Sequence, residues 1–398
     1  MKLTIERKRY SIYDFWFLVA FSLEMLIQQI RLTTIPYMIN FNVHLVFQCI
    51  RCISFLIIML KIFSDTVKLH EFTKINILII ILGLNFFYSP KTLILTFLFV
   101  IGVKNVCFDK IIVPLFTLLS ISFGSIIIGS QINIIDNWQY TQGERERYSL
   151  GFTYPSHSTS ILFYLVILFC YIKKEKLKWW HVLCIEVFNC WQYHMTNTRT
   201  GSALISILVL VFFMVKYFNM SILIRFLYPL LKFSFPICAI ISVFSGYFYT
   251  DIPVLLQIDT FFNSRIRLMS EGLRNYGIKP LGQHIEWIGN GGVGYIIDSI
   301  EGIYNYIDCS YVKLLLDAGI LLWLIIILGY TLAVVKAVKQ NNIYLAIALS
   351  FISIYCMIEP RLMESGFNPF IPLLGNLLYG INVIYTPTSN VCNLKTIN

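Results

Sequence analysis

The chain alternates between long apolar runs and short polar connections, and this pattern predicts its fold. Most runs span about 17 to 22 residues, which is the length of an α-helix that crosses the hydrocarbon core of a bilayer. The alternating strands of a membrane barrel would give shorter and less uniform runs. We therefore predict an all-α polytopic membrane protein. Its transmembrane helices number about twelve, near residues 12–30, 43–63, 74–88, 90–103, 111–129, 157–172, 179–195, 200–218, 232–249, 312–335, 342–358 and 368–385.

The composition agrees with a location in a membrane. Hydrophobic residues make up 57% of the chain and charged residues only 13%, whereas soluble domains carry about 25% charged residues. The first apolar run follows a basic segment and ends in Gln28-Gln29-Ile30-Arg31 without a small-residue cleavage site, so we interpret it as a retained span. The ten cysteines are scattered, mostly inside apolar runs, and Cys49 and Cys52 have no second pair at zinc-site spacing. We therefore expect the cysteines to be buried thiols and expect no metal site.

The formal net charge of +10 does not indicate nucleic-acid binding, because the basic residues are dispersed at the ends of apolar runs. Membrane proteins concentrate lysine and arginine in their cytoplasmic connections. Alternate connections, such as the one with Lys173, Lys174, Lys176 and Lys178, hold most of the basic residues here. This distribution predicts that both termini are cytoplasmic.

The predicted organisation is one membrane domain with one large external elaboration. Residues 1–249 form transmembrane helices 1–9, residues 250–311 a long extracytoplasmic loop, residues 312–385 helices 10–12, and residues 386–398 a cytoplasmic tail. Within the loop, Ser264 is placed to cap a helix that ends near Tyr276, with Gly277 as its left-handed stop. We expect this loop to lie over the active site.

Three arginines lie in external connections, on the side of the membrane that normally has few basic residues. They are Arg147, Arg199 and Arg265. An arginine fork holds phosphate oxygens by paired charge-assisted bonds, so arginines at a membrane edge suit a lipid-linked pyrophosphate. The alternative is that each extends to lipid phosphates or pairs with a nearby acid such as Glu146.

Two residues of the long loop are candidates for a catalytic base. Asp308 can accept a proton from a sugar hydroxyl if burial raises its pKa, and its alternative role is to cap the helix that begins near Ser310. His284 is the second candidate, although a loop histidine is more often structural. Both roles together also remain open.

Further polar and aromatic residues are candidate substrate contacts. Trp287 and Tyr311 are placed to stack on sugar rings or to anchor the loop at the interface. His157 ends the polar stretch after Tyr154, and Glu359 stands at an external edge before Pro360. Carboxylates within or beside spans are costly, so Glu24, Glu186 and Glu359 are each functional candidates, with pairing to a neighbouring polar group as the alternative.

Other catalytic motifs give no support for a different chemistry. Residues 289–294 match GxGxxG, but no strand precedes them and no helix of a strand-helix-strand unit follows, so a turn is the better interpretation. The chain contains no GxxxxGK[ST], HExxH or GxSxG motif and no Asp-x-Asp pair. A reaction that needs no metal or cofactor, with a lipid-linked donor, is therefore expected.

Several short motifs, all on the predicted external face, resemble one family. They are Arg147 to Phe152 with Pro155 following, Thr198 to Gly201, Asn263 to Arg265 leading to Tyr276 to Gln283, and Asp308 to Ile320. In their order and placement they resemble Wzy-type polysaccharide polymerases. The resemblance is to the bacterial capsule and exopolysaccharide branch of the superfamily that also contains O-antigen polymerases and ligases. It covers most of residues 147–376.

This resemblance implies a GT-C-like glycosyltransferase in the bacterial cytoplasmic membrane. Such an enzyme joins undecaprenyl-pyrophosphate-linked oligosaccharide repeats on the outer face, without a metal, among membrane lipids and with a flippase and a chain-length regulator as partners. Arg147, Arg199 and Arg265 match arginines that the family places toward the pyrophosphate. Related ligases carry a histidine where this chain has Asp308, so the base stays open between Asp308 and His284.

Three other functions compete with polymerisation. A ligase of the same superfamily transfers a chain once to a different acceptor. A flippase or other transporter is built from spans and polar cavities and usually lacks such a long external loop. A structural membrane protein would tolerate the loss of Arg147, Arg199 and Asp308.

Overall fold

The computed structural model describes residues 11–39, 43–88, 90–142, 145–218, 221–289 and 304–380. The α-helices within them are α1 (Ile12–Arg31), α2 (Ile35–Met38), α3 (Val43–Ser64), α4 (Leu69–Asn85), α5 (Lys91–Gly102), α6 (Phe108–Gln131), α7 (Pro155–Lys173), α8 (Trp179–Thr196), α9 (Arg199–Tyr217), α10 (Ser221–Lys232), α11 (Ser234–Tyr247), α12 (Pro253–Phe261), α13 (Arg265–Tyr276), α14 (Ser310–Lys339), α15 (Ile343–Tyr355) and α16 (Asn376–Tyr379). The protein is mostly helical, as the apolar pattern predicts.

Five of these helices are long and apolar enough to cross a membrane: α3, α6, α7 with the turn that follows it, α9 and α14. A sixth span results if α10 and α11, which meet at a bend of 57°, are counted together. Other predicted spans form shorter helices. At about 1.5 Å per residue, α5 and α15 fall well short of a hydrocarbon core of about 30 Å.

The last predicted span, 368–385, is wrong in its described part. Residues 368–380 contain a 3₁₀ turn at Ile371–Gly375 and then the four-residue helix α16, which ends at Gly380 in a left-handed conformation. Pro372, at the start of the 3₁₀ turn, removes a backbone donor. The basic N-terminal segment, the glycine-rich run beyond Gly289 and the predicted tail 386–398 lie outside the described residues.

Two of the acidic residues predicted inside spans pair with neighbouring polar groups. Glu24 of α1 is buried and forms an ion pair of 3.0 Å with Arg51 of α3. Glu186 of α8 accepts a hydrogen bond of 2.6 Å from the hydroxyl of Ser206 on α9. The pairing alternative therefore holds for both residues, because each satisfies its carboxylate by joining two helices.

The connection between α6 and α7 folds into a short antiparallel hairpin, an addition to the all-helical prediction. Strands β1 (Gln139–Gln142) and β2 (Arg145–Tyr148) pair so that Tyr140 lies opposite Arg147. The buried hydroxyl of Tyr140 donates a hydrogen bond of 2.6 Å to the carbonyl oxygen of Thr153. The hairpin thus fixes Arg147 beside the start of α7.

The predicted helix in the long connection is confirmed as α13, and Gly277 ends it with a φ of 64°. The predicted cap is wrong, because Ser264 itself adopts a left-handed conformation and its side chain caps nothing. Asp259 of α12 accepts the hydrogen bond from the backbone N–H of Ile266 instead, at 2.7 Å. The N-terminus of α13 is therefore already satisfied by a carboxylate of the chain.

α14 is interrupted at Gly319, where the backbone leaves the helical region with a φ of 75°. The segment after α13 fills this break. The N–H of Ile320 donates to the carbonyl of Lys279 at 3.1 Å, and the N–H of Leu321 donates to that of Pro280 at 3.3 Å. The long connection is thereby fastened to α14 at the break around Gly319.

Candidate active site

A polar cavity of about 560 Å³ opens where the N-termini of α7, α9 and α13 converge. Five residues predicted from the sequence line it together: Arg147, Arg199, Arg265, Asp308 and Glu359. They come from five separate parts of the chain, namely the hairpin, the starts of α9 and α13, and the segments that precede α14 and follow α15. Tertiary packing thus joins basic and acidic groups that are far apart in sequence.

Arg265 lies at the centre of the charged cluster. Its Nε is 3.4 Å from an oxygen of Asp308, and its Nη2 is 4.0 Å from Glu359. Its Nη1 donates to the hydroxyl of Thr200 on α9 at 3.3 Å. Burial by itself lowers the pKa of Arg265, but the two carboxylates outweigh it and raise that pKa. The guanidinium is therefore permanently charged and held on three sides.

The two carboxylates differ in their environments. The Asp308 side chain is 29% exposed and the Glu359 side chain only 9%. Burial, and then the negative charge of Asp308, raises the pKa of Glu359 to about 7, although Arg265 opposes this shift. A carboxylate with a pKa near the working pH is suited to accept and release protons. Glu359, predicted as a substrate contact, is thus also a candidate base.

The alternative role for Asp308, as a helix cap, is wrong. The residue before α14 is Cys309, and no side chain caps this helix. Ser310, the first residue of α14, instead binds the neighbouring segment: its hydroxyl donates to the carbonyl of Glu359 at 2.6 Å, and its N–H donates to Cys356. These bonds hold the two acidic segments side by side.

Arg147 approaches the cavity from the hairpin. Its Nε donates to the carbonyl of Thr196 at 2.9 Å, and its Nη1 lies 3.4 Å from the hydroxyl of Tyr154. The guanidinium carbon is 5.4 Å from the centre of the Tyr154 ring, which is a cation–π distance. The Tyr154 ring and the end of α8 therefore fix the direction of this arginine.

Arg199 is exposed at the first turn of α9, whose start has no side-chain cap. Asn197 ends α8 in a left-handed conformation, so the chain turns into α9 within two residues. Gly201 lets α9 approach α7 closely, because a Cβ there would be 2.7 Å from a methyl carbon of Thr159. Uncapped N–H groups and an arginine at the same helix start attract anions strongly.

Four of the predicted site residues lie outside the cavity, and three of them are His284, Trp287 and Tyr311. His284 is exposed, and it does not line the cavity. The indole N–H of Trp287 donates to Asp317 of α14 at 2.8 Å, so Trp287 fastens the long connection and does not line the cavity. Tyr311 is buried in the core, and its hydroxyl donates to the carbonyl of Ser353 at 2.8 Å. Both aromatic side chains point toward hydrogen-bond partners inside the protein, Asp317 and the carbonyl of Ser353.

His157 is also buried and does not line the cavity. Its Nδ1 lies 3.3 Å from the hydroxyl of Thr153, and its ring packs edge-on against Tyr154, with 6.1 Å between ring centres. The ring and hydroxyl of Tyr154 in turn contact the guanidinium of Arg147. His157 therefore supports an arginine of the cavity from behind and makes no direct substrate contact.

The cavity includes residues that the sequence did not single out as site residues. Tyr154, Thr200 and Arg267 lie beside predicted positions, and the neighbouring arginines were the available signal. Tyr355 gave no signal, because it ends the apolar helix α15. Its hydroxyl donates to Ser160 of α7 at 2.9 Å, which joins α15 to α7 beside the cavity.

This arrangement can bind a multiply charged anion and remove a proton beside it. Within the described part of the chain, no group of three His, Cys, Asp or Glu side chains is placed to hold a metal ion. No protein-family model, curated protein or solved structure matches this chain.

Proposed function

We propose that this protein is a glycosyltransferase that polymerises oligosaccharide repeats carried on undecaprenyl pyrophosphate. In this proposal it is a GT-C-like enzyme with about twelve spans and cytoplasmic termini, and it acts at the outer face of a bacterial cytoplasmic membrane. The observation that supports it is the polar cavity in which Arg147, Arg199 and Arg265 face Asp308 and Glu359. A flippase that delivers repeats and a chain-length regulator would be its partners.

The donor pyrophosphate suits the side of the cavity formed by Arg147, Arg199 and the start of α9. Two arginine forks and free helix N–H groups can bind several phosphate oxygens at once. The carboxylates that line the cavity in the described part of the chain pair with other arginines: Asp308 and Glu359 contact Arg265, and Glu271 pairs with Arg267. A dianionic leaving group therefore has a place to bind.

A further arginine in the cavity, Arg267, supports a polymerase over a ligase. Arg267, two residues after the start of α13, also lines the cavity and pairs with Glu271 at 3.5 Å. In polymerisation the acceptor carries a pyrophosphate as well, so an additional arginine on another wall has a use. A ligase acceptor without a pyrophosphate would not need it.

The transfer itself follows from these positions. The acceptor hydroxyl gives its proton to a carboxylate, and its oxygen forms a bond to the anomeric carbon of the donor sugar. The bond from that carbon to the pyrophosphate oxygen breaks, and its electron pair stays on the pyrophosphate. The arginines stabilise the negative charge that develops there, in a partly enclosed site where such contacts are strong. Arg265 keeps the two carboxylates close to this reaction.

The pKa of Glu359 predicts a pH dependence. Below about pH 7 the side chain is protonated and cannot accept a proton, so the transfer rate is expected to rise about tenfold per pH unit up to pH 7 and then level off. Glu359→Gln should abolish this rise. In Asp308→Asn, the rise should persist but move to lower pH, because the negative charge that raises the pKa is gone. Rate–pH profiles of the purified variants measure this.

If Asp308→Asn abolished the rise and Glu359→Gln kept it, Asp308 would be the base. A profile that is flat in the unaltered protein would contradict both assignments.

Arg199→Ala is expected to reduce polymer formation about 100-fold, because the donor loses a fork at the start of α9. The test compares polysaccharide length in cells that make each variant at equal protein level. Arg274→Ala is the matched control, since Arg274 is an exposed arginine of α13 that contacts Thr250 and does not line the cavity.

Long polymer in the unaltered protein and single repeats in Arg199→Ala support the proposal. Transfer of one chain without elongation would identify a ligase. Transport of lipid-linked repeats without bond formation would identify a flippase.

A further inference from the structure

An apolar groove of about 210 Å³ lies between α4 and α14, and it shares no lining residue with the arginine cavity. Ile77 and Ile81 of α4 face Ile325 of α14, while Phe97 of α5 and Leu377 of α16 form its floor. Ile77 is 55% exposed, so the groove is open to the outside. In a membrane-spanning chain, such a groove is accessible to lipid acyl chains.

The groove has a cationic end. Lys74, one turn before Ile77 on α4, lines it, and its ammonium lies 3.5 Å from the carbonyl of Leu377. Lys336 lies about three turns beyond Ile325 on the same face of α14. Burial lowers the pKa of Lys336, and the positive charge of Lys74 lowers it further. The Lys336 ammonium nitrogen is buried and has no hydrogen-bond partner among the described residues.

Two neighbouring ammonium groups, one of them buried, require an anion, because a buried charge without a partner is costly. The described carboxylate nearest in sequence, Glu71, pairs with Lys104. Residues 381–398, which follow the groove in sequence, contain no aspartate or glutamate. The missing anion is therefore best supplied by a ligand that combines negative charge with an apolar chain.

We infer that this groove binds an anionic glycerophospholipid, with one acyl chain between α4 and α14 and the phosphate between Lys74 and Lys336. α14 begins beside the arginine cavity at Ser310, and Lys336 lies in its last turn. The headgroup site is thus at the opposite membrane face from the cavity. The inference is independent of the proposed glycosyltransferase activity, since it uses none of the cavity residues.

Native mass spectrometry of the full chain tests this, with phosphatidylglycerol and phosphatidylcholine of identical acyl chains as probes. We expect phosphatidylglycerol adducts to survive delipidation at least about tenfold better than phosphatidylcholine adducts. Lys74→Gln with Lys336→Gln should remove this preference. Lys339→Gln, an exposed lysine one turn after Lys336, is the matched control and should leave it unchanged.

Ile77→Trp tests the acyl-chain part of the site. Because Ile77 is half exposed, the larger ring fills the groove without entering the core, and it should reduce retention of phosphatidylglycerol about tenfold. Lys74→Gln alone, at an exposed position, keeps the test valid if the Lys336 substitution prevents folding.

Equal retention of the two lipids, or a preference that survives Lys74→Gln and Ile77→Trp, would overturn the inference. A dimer signal that disappears in Ile77→Trp would also overturn it, by assigning the groove to a second copy of the chain.

Discussion

Arg265→Ala is expected to lower the rate of glycosyl transfer by about 10²- to 10³-fold, the loss typical when one preorganised donor to a developing charge is removed. Arg265 contacts both Asp308 and Glu359 and also reaches Thr200 on α9. Its loss removes positive charge from the cavity and leaves two neighbouring carboxylates without their shared partner. Binding of the anionic donor and removal of the acceptor proton are then both weakened.

Initial rates of repeat-unit transfer by purified protein measure this effect. Arg265→Lys keeps the charge but not the fork, so it should recover part of the rate and not all of it. The same experiment with Arg274→Ala controls for the loss of an arginine from α13. A rate within about threefold of the unaltered protein in Arg265→Ala would show that the cavity does not carry the reaction.

Gly319→Ala is expected to destabilise the protein by about 3 kcal/mol, from backbone strain and overpacking combined. The φ of 75° and ψ of 169° at Gly319 belong to a region that residues with a Cβ rarely adopt. A Cβ there would also be 2.6 Å from the carbonyl oxygen of Pro280 and would overlap the backbone nitrogen of Gly282. Backbone atoms cannot move aside as a flexible side chain does.

Thermal unfolding of the purified variants in detergent measures this destabilisation. Gly83→Ala is the matched control, because Gly83 lies inside α4 and a Cβ there would meet nothing within 4 Å. That variant should be neutral or slightly more stable, since alanine favours a helix by about 1 kcal/mol over glycine. Equal unfolding temperatures for the two variants would mean that the segment 279–283 is not fastened to α14.

The position of Gly319 also connects stability with the cavity. The segment fastened there continues through Trp287, whose indole binds Asp317, and the same connection returns to Asp308 just before α14. Lys313 stands over the Trp287 ring at 5.2 Å and pairs with Asp317 at 2.7 Å. Trp287, expected to touch sugar, thus serves to anchor the connection that carries the acidic group.

The sequence by itself predicted most of the helical stretches, indicated a membrane protein, and showed which connections between apolar runs contain arginines. Apolar content and helix signals are local properties, so α13 and Gly277 could be predicted from neighbouring residues alone. The predicted count of about twelve spans is not confirmed, because five helices of the described residues, or six with the bent pair, are long and apolar enough to cross a membrane. Apolar content does not reveal where a helix stops, as at residues 371–380, or where it breaks, as at Gly319.

Only the tertiary structure decided which polar groups meet. Asp308 and Glu359 lie on either side of α14 and α15 in sequence, and they become neighbours because those helices pack together and Ser310 bonds to the segment after α15. The same packing turned Tyr311 inward and left His284 at the surface. Charge and aromaticity can be read from residue types, but the direction of a side chain depends on partners that are distant in sequence.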